Sequence, residues 1–279
     1  MHTSLVGGLI MKKVTSKILN VKNLRLSYTV SKGLFGANEL IKAVDDISFS
    51  VYSGETLGIV GESGSGKSSI CRLILSLINK TSGEVEWFGK NFDKYNKLEI
   101  KKFRKKVQII FQDPYGSLDP RMTIGRIIKE PLDIFNKKLK NKDKEFRILK
   151  LMSDVGLSKD LFNRYPHELS GGQCQRIGIA RALINKPSVL ICDEPVSALD
   201  LSIQAQILDL LNLLKDKYNL TLIFVSHDLS VIKSICDNVI VLKLGKIIEK
   251  KATEELFNNP KEEYTKKLIS SVPSPIPLR

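Results

Sequence analysis

Residues 56–69 read TLGIVGESGSGKSS, an apolar run that leads directly into a glycine-rich loop. The run 56–60 predicts a strand buried on both faces, and residues 61–68 match the pattern G-x-x-x-x-G-K-[ST]. The glycines let backbone N–H groups curl round phosphate oxygens, Lys67 neutralises phosphate charge, and Ser68 offers a hydroxyl to Mg²⁺. A helix is predicted over residues 68–78. This phosphate loop predicts a nucleoside triphosphate site lined by Gly61, Glu62, Ser63, Gly64, Ser65, Gly66, Lys67, Ser68 and Ser69.

A second glycine-rich turn, LSGGQ at residues 169–173, lies well downstream of the phosphate loop. This second turn opens a predicted helix over residues 173–184, so its backbone N–H groups form another anion site. One nucleotide does not need two such cradles from one chain. The pair therefore predicts a dimer in which each chain completes the other's site, with contacts from Ser170, Gly171, Gly172 and Gln173.

Three more apolar runs end at chemically suggestive residues. Residues 107–111 end at Gln112, residues 189–192 end at Asp193 and Glu194, and residues 222–225 end at Ser226 and His227. Continuous apolar runs are typical of strands in a parallel sheet, where helices cover both faces. Open α/β sheets bind ligands beyond the carboxyl ends of such strands. We therefore expect an α/β fold with a parallel-sheet core and these polar residues around the nucleotide.

The adjacent carboxylates Asp193 and Glu194 suit two different tasks. Neighbouring strand residues project to opposite sides of a sheet. We expect Asp193 to hold Mg²⁺, directly or through water, and Glu194 to orient or deprotonate the attacking water. Pro195 is expected to keep Glu194 extended, because a residue before proline is pushed away from helical conformations.

Two further strand-end residues are predicted to contact the nucleotide. The amide of Gln112 can bind Mg²⁺ or water while it senses the γ-phosphate. The imidazole of His227 suits a phosphate contact or a hydrogen bond to the water-positioning glutamate. Residues 113–121 (DPYGSLDPR) are rich in turn residues and lead towards a helix. That placement favours a lever between the nucleotide and a partner surface.

The regions around the parallel sheet have different patterns. Residues 19–28 and 43–52 partly alternate between apolar and polar residues, which predicts antiparallel strands on either side of a loop at 31–38. Tyr28 ends the first of these strands and can stack on a base. Residues of about 97–185 are mainly helical in pattern and predict an inserted helical subdomain. A hairpin is expected at Gly245. The predicted divisions are an N-terminal extension (1–17), a nucleotide-binding domain (18–250) and a C-terminal extension (251–279).

The composition narrows the class of protein. The formal net charge of +14 comes from 44 basic and 30 acidic residues, but no aromatic residues interleave the lysine runs as stacking platforms would. We therefore expect a solvated lysine-rich surface and no nucleic-acid partner. No apolar run approaches the roughly 20 residues that span a bilayer, and no secretory signal is evident. The four scattered cysteines favour small buried hydrophobes over a metal site or disulfides.

These motifs occur in the order that is characteristic of one family. They are residues 61–69, Gln112, 169–173, Asp193 with Glu194, 197–200 (SALD) and His227. Together they resemble the ATP-binding-cassette (ABC) ATPases over about residues 18–270. The resemblance implies a RecA-like parallel-sheet core with an antiparallel β subdomain and an inserted helical subdomain. It also implies adenine stacking on Tyr28, a nucleotide-site role for Asp200, and two cassettes packed head to tail around ATP.

Longer segments resemble one branch of that family, the ATPase subunits of oligopeptide and dipeptide importers and in particular the second, or F-type, ATPase. These segments are 111–125 (FQDPYGSLDPRMTIG), 164–183 (RYPHELSGGQCQRIGIARAL), 192–208 (CDEPVSALDLSIQAQIL) and 259–275 (NPKEEYTKKLISSVPSP). The resemblance implies a peripheral protein at the cytoplasmic face of the cell membrane, with ATP and Mg²⁺ as ligands. The implied partners are two permease subunits, a second ABC ATPase and a solute-binding protein. A distinct ATPase partner is expected, and an identical one stays possible.

Three other functions are compatible with parts of the pattern. Importers of nickel or another solute use closely related ATPases, since other subunits choose the solute. A soluble ABC ATPase that acts on ribosomes or DNA is disfavoured, because translation-associated members usually carry two cassettes and DNA-repair members split the cassette with a long coiled coil. A regulatory cassette that binds ATP without cleaving it is expected to lack Glu194 or His227, and both residues are present.

Overall fold

A computed structural model describes residues 16–31 and 38–271. Ten strands lie in this part of the chain: β1 (Lys17–Ser31), β2 (Asn38–Tyr52), β3 (Thr56–Val60), β4 (Ser82–Trp87), β5 (Lys90–Asn91), β6 (Val107–Ile110), β7 (Val189–Asp193), β8 (Thr221–Ser226), β9 (Asn238–Lys243) and β10 (Lys246–Ala252). The α-helices are α1 (Lys67–Ile74), α2 (Lys97–Lys106), α3 (Ile124–Phe135), α4 (Asn141–Asp154), α5 (Gly171–Leu183), α6 (Leu201–Tyr218), α7 (Leu229–Ile235), α8 (Thr253–Asn258) and α9 (Glu263–Ser270). Short 3₁₀ helices lie at Phe92–Lys94, Lys159–Asn163 and Pro166–Glu168. Most of the predicted N-terminal extension and of the loop 31–38 lies outside the described residues.

Six strands form the central sheet in the order β10-β9-β3-β8-β7-β6. β3 is parallel to β8 and β9, and the pairs β7–β8 and β6–β7 are also parallel. The strand ends are in register, since Val60 lies opposite Ser226 and Asp193 lies opposite Val225. The predicted parallel sheet is confirmed, as is the antiparallel hairpin at Gly245. The residues that follow β3, β7 and β8 therefore meet at one edge of the sheet.

Successive residues of the central strands enter two different cores. In β8, Leu222 and Phe224 pack in a cluster with helices α3 to α7, while Ile223 and Val225 pack with the other sheet and α1. Both faces of the strand are thus withdrawn from water. This is why the strand reads as a continuous apolar run and not as an alternating one.

The second sheet has the order β2-β1-β4-β5, with antiparallel neighbours throughout. It confirms the antiparallel strands predicted for the N-terminal part. Trp87 on β4 is fully buried, and its indole N–H donates to the Ile74 carbonyl oxygen at 2.7 Å. Ser76 then adopts a left-handed φ of 51°. α1 therefore ends at Ile74, and the predicted helix end at residue 78 is wrong.

The stretch 97–185, predicted as mainly helical, divides into three parts. The ring of Phe103 on α2 packs on Trp87 at a centroid distance of 5.4 Å, so α2 lies with the antiparallel sheet. β6 belongs to the central sheet. Helices α3, α4 and α5 contact one another and share a buried cluster. The helical unit therefore begins after β6, later than the predicted boundary, because the apolar side of α2 needs the aromatic cluster around Trp87.

The structure bears on two expectations from the composition, one about the cysteines and one about membrane-spanning segments. The four cysteines, Cys71, Cys174, Cys192 and Cys236, are all buried and free. Burial raises the pKa of the Cys174 thiol to about 11, so this thiol stays protonated at neutral pH. Over the described ranges, every helix falls short of the length and apolarity that crossing a membrane requires.

Candidate functional site

The phosphate loop between β3 and α1 has two positions where only glycine fits. Gly66 has a φ of 103°, and a Cβ there would lie 2.4 Å from the Ala43 carbonyl oxygen. A Cβ at Gly61 would lie 2.3 Å from the Leu242 carbonyl oxygen. No side chain caps α1 at its N-terminus. The first N–H groups of that helix are therefore available to an anion.

Lys67 is buried at the base of the phosphate loop. Its Nζ donates to the carbonyl oxygens of Gly61 at 2.8 Å and Glu62 at 2.9 Å, and it lies 3.8 Å from Glu194 Oε1. Burial lowers the pKa of the Lys67 ammonium, while the neighbouring carboxylates oppose that effect. The Ser65 hydroxyl is buried nearby without a hydrogen-bond partner. A buried cation and an unpaired hydroxyl beside available N–H groups fit a phosphate chain.

Glu194 lies in a sharp turn directly after β7. Its φ is +49°, in the left-handed region, and its N–H donates to the Val225 carbonyl oxygen at 3.0 Å. The expectation that Pro195 keeps Glu194 extended is wrong. The hydrogen bond to the neighbouring strand β8 fixes the turn, although a left-handed φ is unfavourable for this residue type.

The Glu194 carboxylate is held by two of the predicted site residues. Its Oε2 accepts a hydrogen bond from Gln112 Nε2 at 3.1 Å and lies 3.1 Å from His227 Nδ1. These contacts join the ends of β6, β7 and β8 around one carboxylate. Because Oε1 lies on the Lys67 side, the two oxygens of Glu194 have different environments, which is the arrangement needed to direct one of them at a water molecule.

Asp193 and Ser68 form the candidate cation site. The Ser68 hydroxyl donates to Asp193 Oδ1 at 3.1 Å, and Asp193 is buried. Burial raises the pKa of the Asp193 carboxyl, and the hydrogen bond from Ser68 opposes the rise. Gln112 donates to Glu194 through its amide nitrogen, so its amide oxygen Oε1 is left as a further candidate donor to a cation. Hydroxyl, carboxylate and amide oxygens are the donors that Mg²⁺ prefers, so the set fits that cation.

These residues surround a cavity of about 240 Å³, lined by Ala43, Ser63, Gly64, Gly66, Lys67, Ser68, Ser69, Gln112 and Glu194. Tyr28 lies on β1 opposite Ile41, is about half exposed, and is not part of that lining. Asp200 also lies outside the lining, where it precedes α6 as its N-cap residue. The structure thus brings together the residues predicted to handle phosphate, metal and water. Their roles, like those of Tyr28 and Asp200, stay predictions.

The second turn also lies outside this cavity. The exposed Ser170 caps α5, since its Oγ accepts from the Gln173 N–H at 3.3 Å and its N–H donates to Gln173 Oε1 at 3.0 Å. α5 therefore begins at Gly171, two residues before the predicted start. The Tyr115 hydroxyl donates to the Leu169 carbonyl oxygen at 2.9 Å. That the second turn serves a nucleotide held by another chain stays a prediction.

The family model described as ABC transporter matches residues 44–197, more than half of the chain. This chain belongs to the ABC transporter family. The matched span contains the phosphate loop, the second turn and Glu194. As an ABC ATPase, the chain binds and hydrolyses ATP, and the predicted family resemblance is confirmed.

Curated ABC relatives match over nearly the whole chain. The oligopeptide transport ATP-binding protein OppF of Haemophilus influenzae is 51% identical over 93% of this chain and 79% of its own length. OppF of Salmonella typhimurium is 49% identical over the same shares. The dipeptide transport ATP-binding protein DppF of Haemophilus influenzae is 48% identical over 94% of this chain and 80% of its own length.

Solved ABC cassettes share the fold. The cassette MJ0796, as a dimer in a post-hydrolysis state bound to ADP and Pi, is 29% identical with a TM-score of 0.75, covering 85% of this chain and 99% of that one. CbiO1 of Clostridium perfringens, part of an ABC transporter complex, is 29% identical with a TM-score of 0.74, covering 87% and 91%. The predicted ABC nucleotide-binding fold is confirmed.

Three residues of this ABC cassette contact the site or the second turn without having been predicted from the sequence. Ala43 lines the cavity, Tyr115 bonds to the second turn, and the Tyr264 hydroxyl accepts from the Glu62 N–H at 3.2 Å. Ala43 acts through its backbone, which carries no sequence signal. Tyr115 and Tyr264 lie in segments that resemble the importer branch, and that resemblance is the one signal that pointed to them.

Proposed function

We propose that this chain is the ATP-hydrolysing subunit of a membrane importer for oligopeptides or dipeptides. The names of the relatives that cover most of the chain support the peptide substrate. The observation that best supports hydrolysis is the Glu194 carboxylate, held by Gln112 and His227 beside the Lys67 ammonium. The subunit is peripheral, at the cytoplasmic face of the membrane.

Binding of ATP begins at the phosphate loop. The buried Lys67 ammonium attracts the β- and γ-phosphates, and the uncapped N–H groups of α1 donate to their oxygens. The Ser65 hydroxyl and Ser69 add polar contacts, and adenine stacks on the exposed face of Tyr28. Positioning of this kind is the main contribution that a protein makes to phosphoryl transfer.

Ser68, Asp193 and Gln112 would hold Mg²⁺, because their oxygen donors suit that cation. When bound, Mg²⁺ neutralises phosphate charge as a Lewis acid. Glu194 orients or deprotonates the water that attacks the γ-phosphate. Gln112 and His227 fix that carboxylate through Oε2, so a change in either residue alters the direction of the water.

Turnover in this proposal requires two cassettes. The second turn of each chain contacts the γ-phosphate held by the other through Ser170, Gly171, Gly172 and Gln173. The N–H groups of Gly171 and Gly172, which take no part in the cap between Ser170 and Gln173, donate to that phosphate. Asp200 lies at the same shared interface. Cleavage removes the bridging phosphate and reopens the pair. The segment after Gln112 transmits this motion, and the Tyr115 bond to Leu169 links that segment to the second turn.

The complex contains two permease subunits, a second ABC ATPase and a solute-binding protein. Residues 18–250 form the ATPase domain and residues 251–279 an extension that is specific to this branch. The peptide does not contact this chain, because the solute site belongs to other subunits.

Reconstitution in vesicles of the complex that co-purifies with this chain from membranes tests this function. With ATP on the cassette side and the solute-binding protein on the other, a labelled oligopeptide should accumulate. Glu194→Gln should abolish uptake, while Glu254→Gln, on exposed α8, should not. Uptake of nickel without peptide would replace the peptide assignment, and co-purification with ribosomes or DNA in place of permeases would refute the importer.

A further inference from the structure

The C-terminal segment (residues 259–270) reaches back to the phosphate loop. The hydroxyl of Tyr264 on α9 accepts a hydrogen bond from the Glu62 N–H at 3.2 Å, across 202 positions of sequence. The Lys243 ammonium lies over the Tyr264 ring, 4.8 Å from its centroid. Tyr264 is therefore held by its hydroxyl and by its ring, and a residue outside the predicted ATPase domain touches the loop that binds ATP.

A buried carboxylate fixes the segment in that place. Glu249 on β10 accepts from the N–H groups of Lys261 at 2.9 Å and Glu262 at 3.2 Å, and it forms an ion pair with Lys251 at 3.1 Å. Burial raises the pKa of Glu249, but its hydrogen bonds, with that from the Lys261 N–H foremost, outweigh burial and lower the pKa to about 2. Glu249 thus stays ionised at neutral pH and anchors the start of α9.

A second contact strengthens the same anchor. The Lys251 ammonium also donates to the Asn259 carbonyl oxygen at 2.7 Å. Thr265, one position after Tyr264, is almost fully buried. Leu268 and Ile269 pack against the cluster of helices and central strands. The placement of Tyr264 thus follows from polar contacts at the start of the segment and apolar contacts along α9.

Glu62 connects this anchor to the catalytic lysine. Its carbonyl oxygen accepts from Lys67 Nζ at 2.9 Å and from the Ser65 N–H at 3.1 Å, while its N–H is bound by Tyr264. Both polar groups of the Glu62 backbone are therefore occupied. Any rotation of its peptide planes breaks a bond to Tyr264, to Lys67 or to both. The orientation of the Lys67 ammonium is coupled to α9 through a single residue.

We propose that Tyr264 is a positioning residue for the ATP site, through which the C-terminal segment holds the phosphate loop in its binding conformation and sets the affinity for ATP. This proposal rests on the ATP site of the proposed function and is independent of the transported solute. Tyr264 acts on the phosphate loop through the Glu62 backbone, so its loss should weaken nucleotide binding while leaving the hydrolytic step intact.

The test is Tyr264→Phe in the assembled transporter, because this change removes the hydroxyl and keeps the ring that Lys243 covers. We expect the KM for ATP to rise about three- to tenfold, the loss that one hydrogen bond typically produces. The kcat should stay within about twofold. Titration of the full chain with a fluorescent trinitrophenyl-ATP should give a matching rise in Kd. An unchanged KM and Kd would overturn the proposal.

A matched control and a second variant separate positioning from simple folding. Tyr52→Phe alters an exposed tyrosine at the end of β2, which leads to the amino end of β3, and it should change neither KM nor Tm. Glu249→Gln should raise the KM for ATP as Tyr264→Phe does, and the double variant should give no further rise. The coupling would be refuted if the KM of the double variant rose by the product of the two single effects. It would also be refuted if Tyr264→Phe lowered Tm so far that unfolding explained its weaker ATP binding.

The outcome distinguishes this inference from the proposed function. If the wild-type chain binds and hydrolyses ATP and Tyr264→Phe behaves identically, the positioning role fails while the ATPase stands. If the wild-type assembly hydrolyses no ATP, the proposed function itself fails.

Discussion

The phosphate loop and the second turn are both glycine-rich and both open a helix, yet the N-termini of these two helices differ in their capping. α1 has no side-chain cap, and beside it lie the buried Lys67 and the unpaired Ser65 hydroxyl. α5 is capped reciprocally by Ser170 and Gln173, and Ser170 is exposed. The first site is ready to receive a triphosphate. The second is exposed, and the N–H groups of Gly171 and Gly172 lie outside its cap, which is compatible with the proposed ligand on another chain.

The comparison indicates why the first of the two helix ends is the stronger candidate anion site, since a cation and an unsatisfied donor accompany it. The phosphate loop has the buried cation, and the carboxylates beside it, Glu194 and Asp193, are the ones proposed to position the water and the metal. The second turn has only its dipole and its backbone donors, worth little alone. In the proposed function, the second turn contributes to catalysis only through a partner's nucleotide.

Glu194→Gln should have the largest effect, because it removes the water-orienting charge from the first site. We expect kcat for ATP to fall about 10²- to 10⁴-fold, the range typical of a lost general base. ATP binding should stay within about threefold, and the two cassettes should remain closed on ATP in gel filtration. Glu254→Gln serves as the charge-matched control. Normal turnover by Glu194→Gln in the assembled transporter would remove Glu194 from its role.

Ser170→Arg should break the second site and spare the first. Turnover by the assembly should fall about 100-fold, since a donor to the developing phosphate charge is blocked. ATP binding by the isolated chain should be unchanged in an equilibrium titration. Ser53→Arg, in the exposed turn before β3, is the matched control. Lost ATP binding by isolated Ser170→Arg would show that the two turns are not separate sites.

Gly66→Ala and Gly171→Ala compare how much strain an added Cβ causes in the phosphate loop and in the second turn. At Gly66 a Cβ would meet the Ala43 carbonyl oxygen at a positive φ, so we expect a loss of about 2 kcal/mol in unfolding free energy. At Gly171 the nearest atom, on Leu199, is 3.4 Å away, so the change should stay within about 1 kcal/mol. Urea denaturation measures both. Equal losses would mean that strain does not distinguish the turns.

Tyr115→Phe should have the smallest effect, because it removes the single hydrogen bond to Leu169 that joins the segment after Gln112 to the second turn. We expect turnover by the assembly to fall about three- to tenfold, equivalent to about 1 kcal/mol. ATP binding by the isolated chain should be unaffected. Tyr52→Phe is again the control. A loss of ATP binding in place of turnover would assign Tyr115 to the first site.

Much of the fold was predictable because its signals are local. The parallel strands are continuous apolar runs, and Gln112, Asp193 and His227 lie at or just after the ends of these strands. The gathering of these residues at one edge follows from parallel register alone. The end of α1 was not predictable, because the Trp87 indole that binds the Ile74 carbonyl comes from a different strand.

The sequence by itself determined the triphosphate chemistry, since the phosphate loop, the strand-end carboxylates and the order of motifs are all written in short segments. The orientation of those groups depends on the tertiary structure. The left-handed turn of Glu194 depends on a bond to Val225 in the neighbouring strand, and the hold of Tyr264 on Glu62 spans 202 positions. Hydrogen bonds between distant segments leave no periodic pattern in either segment. They form only when folding brings the segments together, so the sequence alone does not predict them.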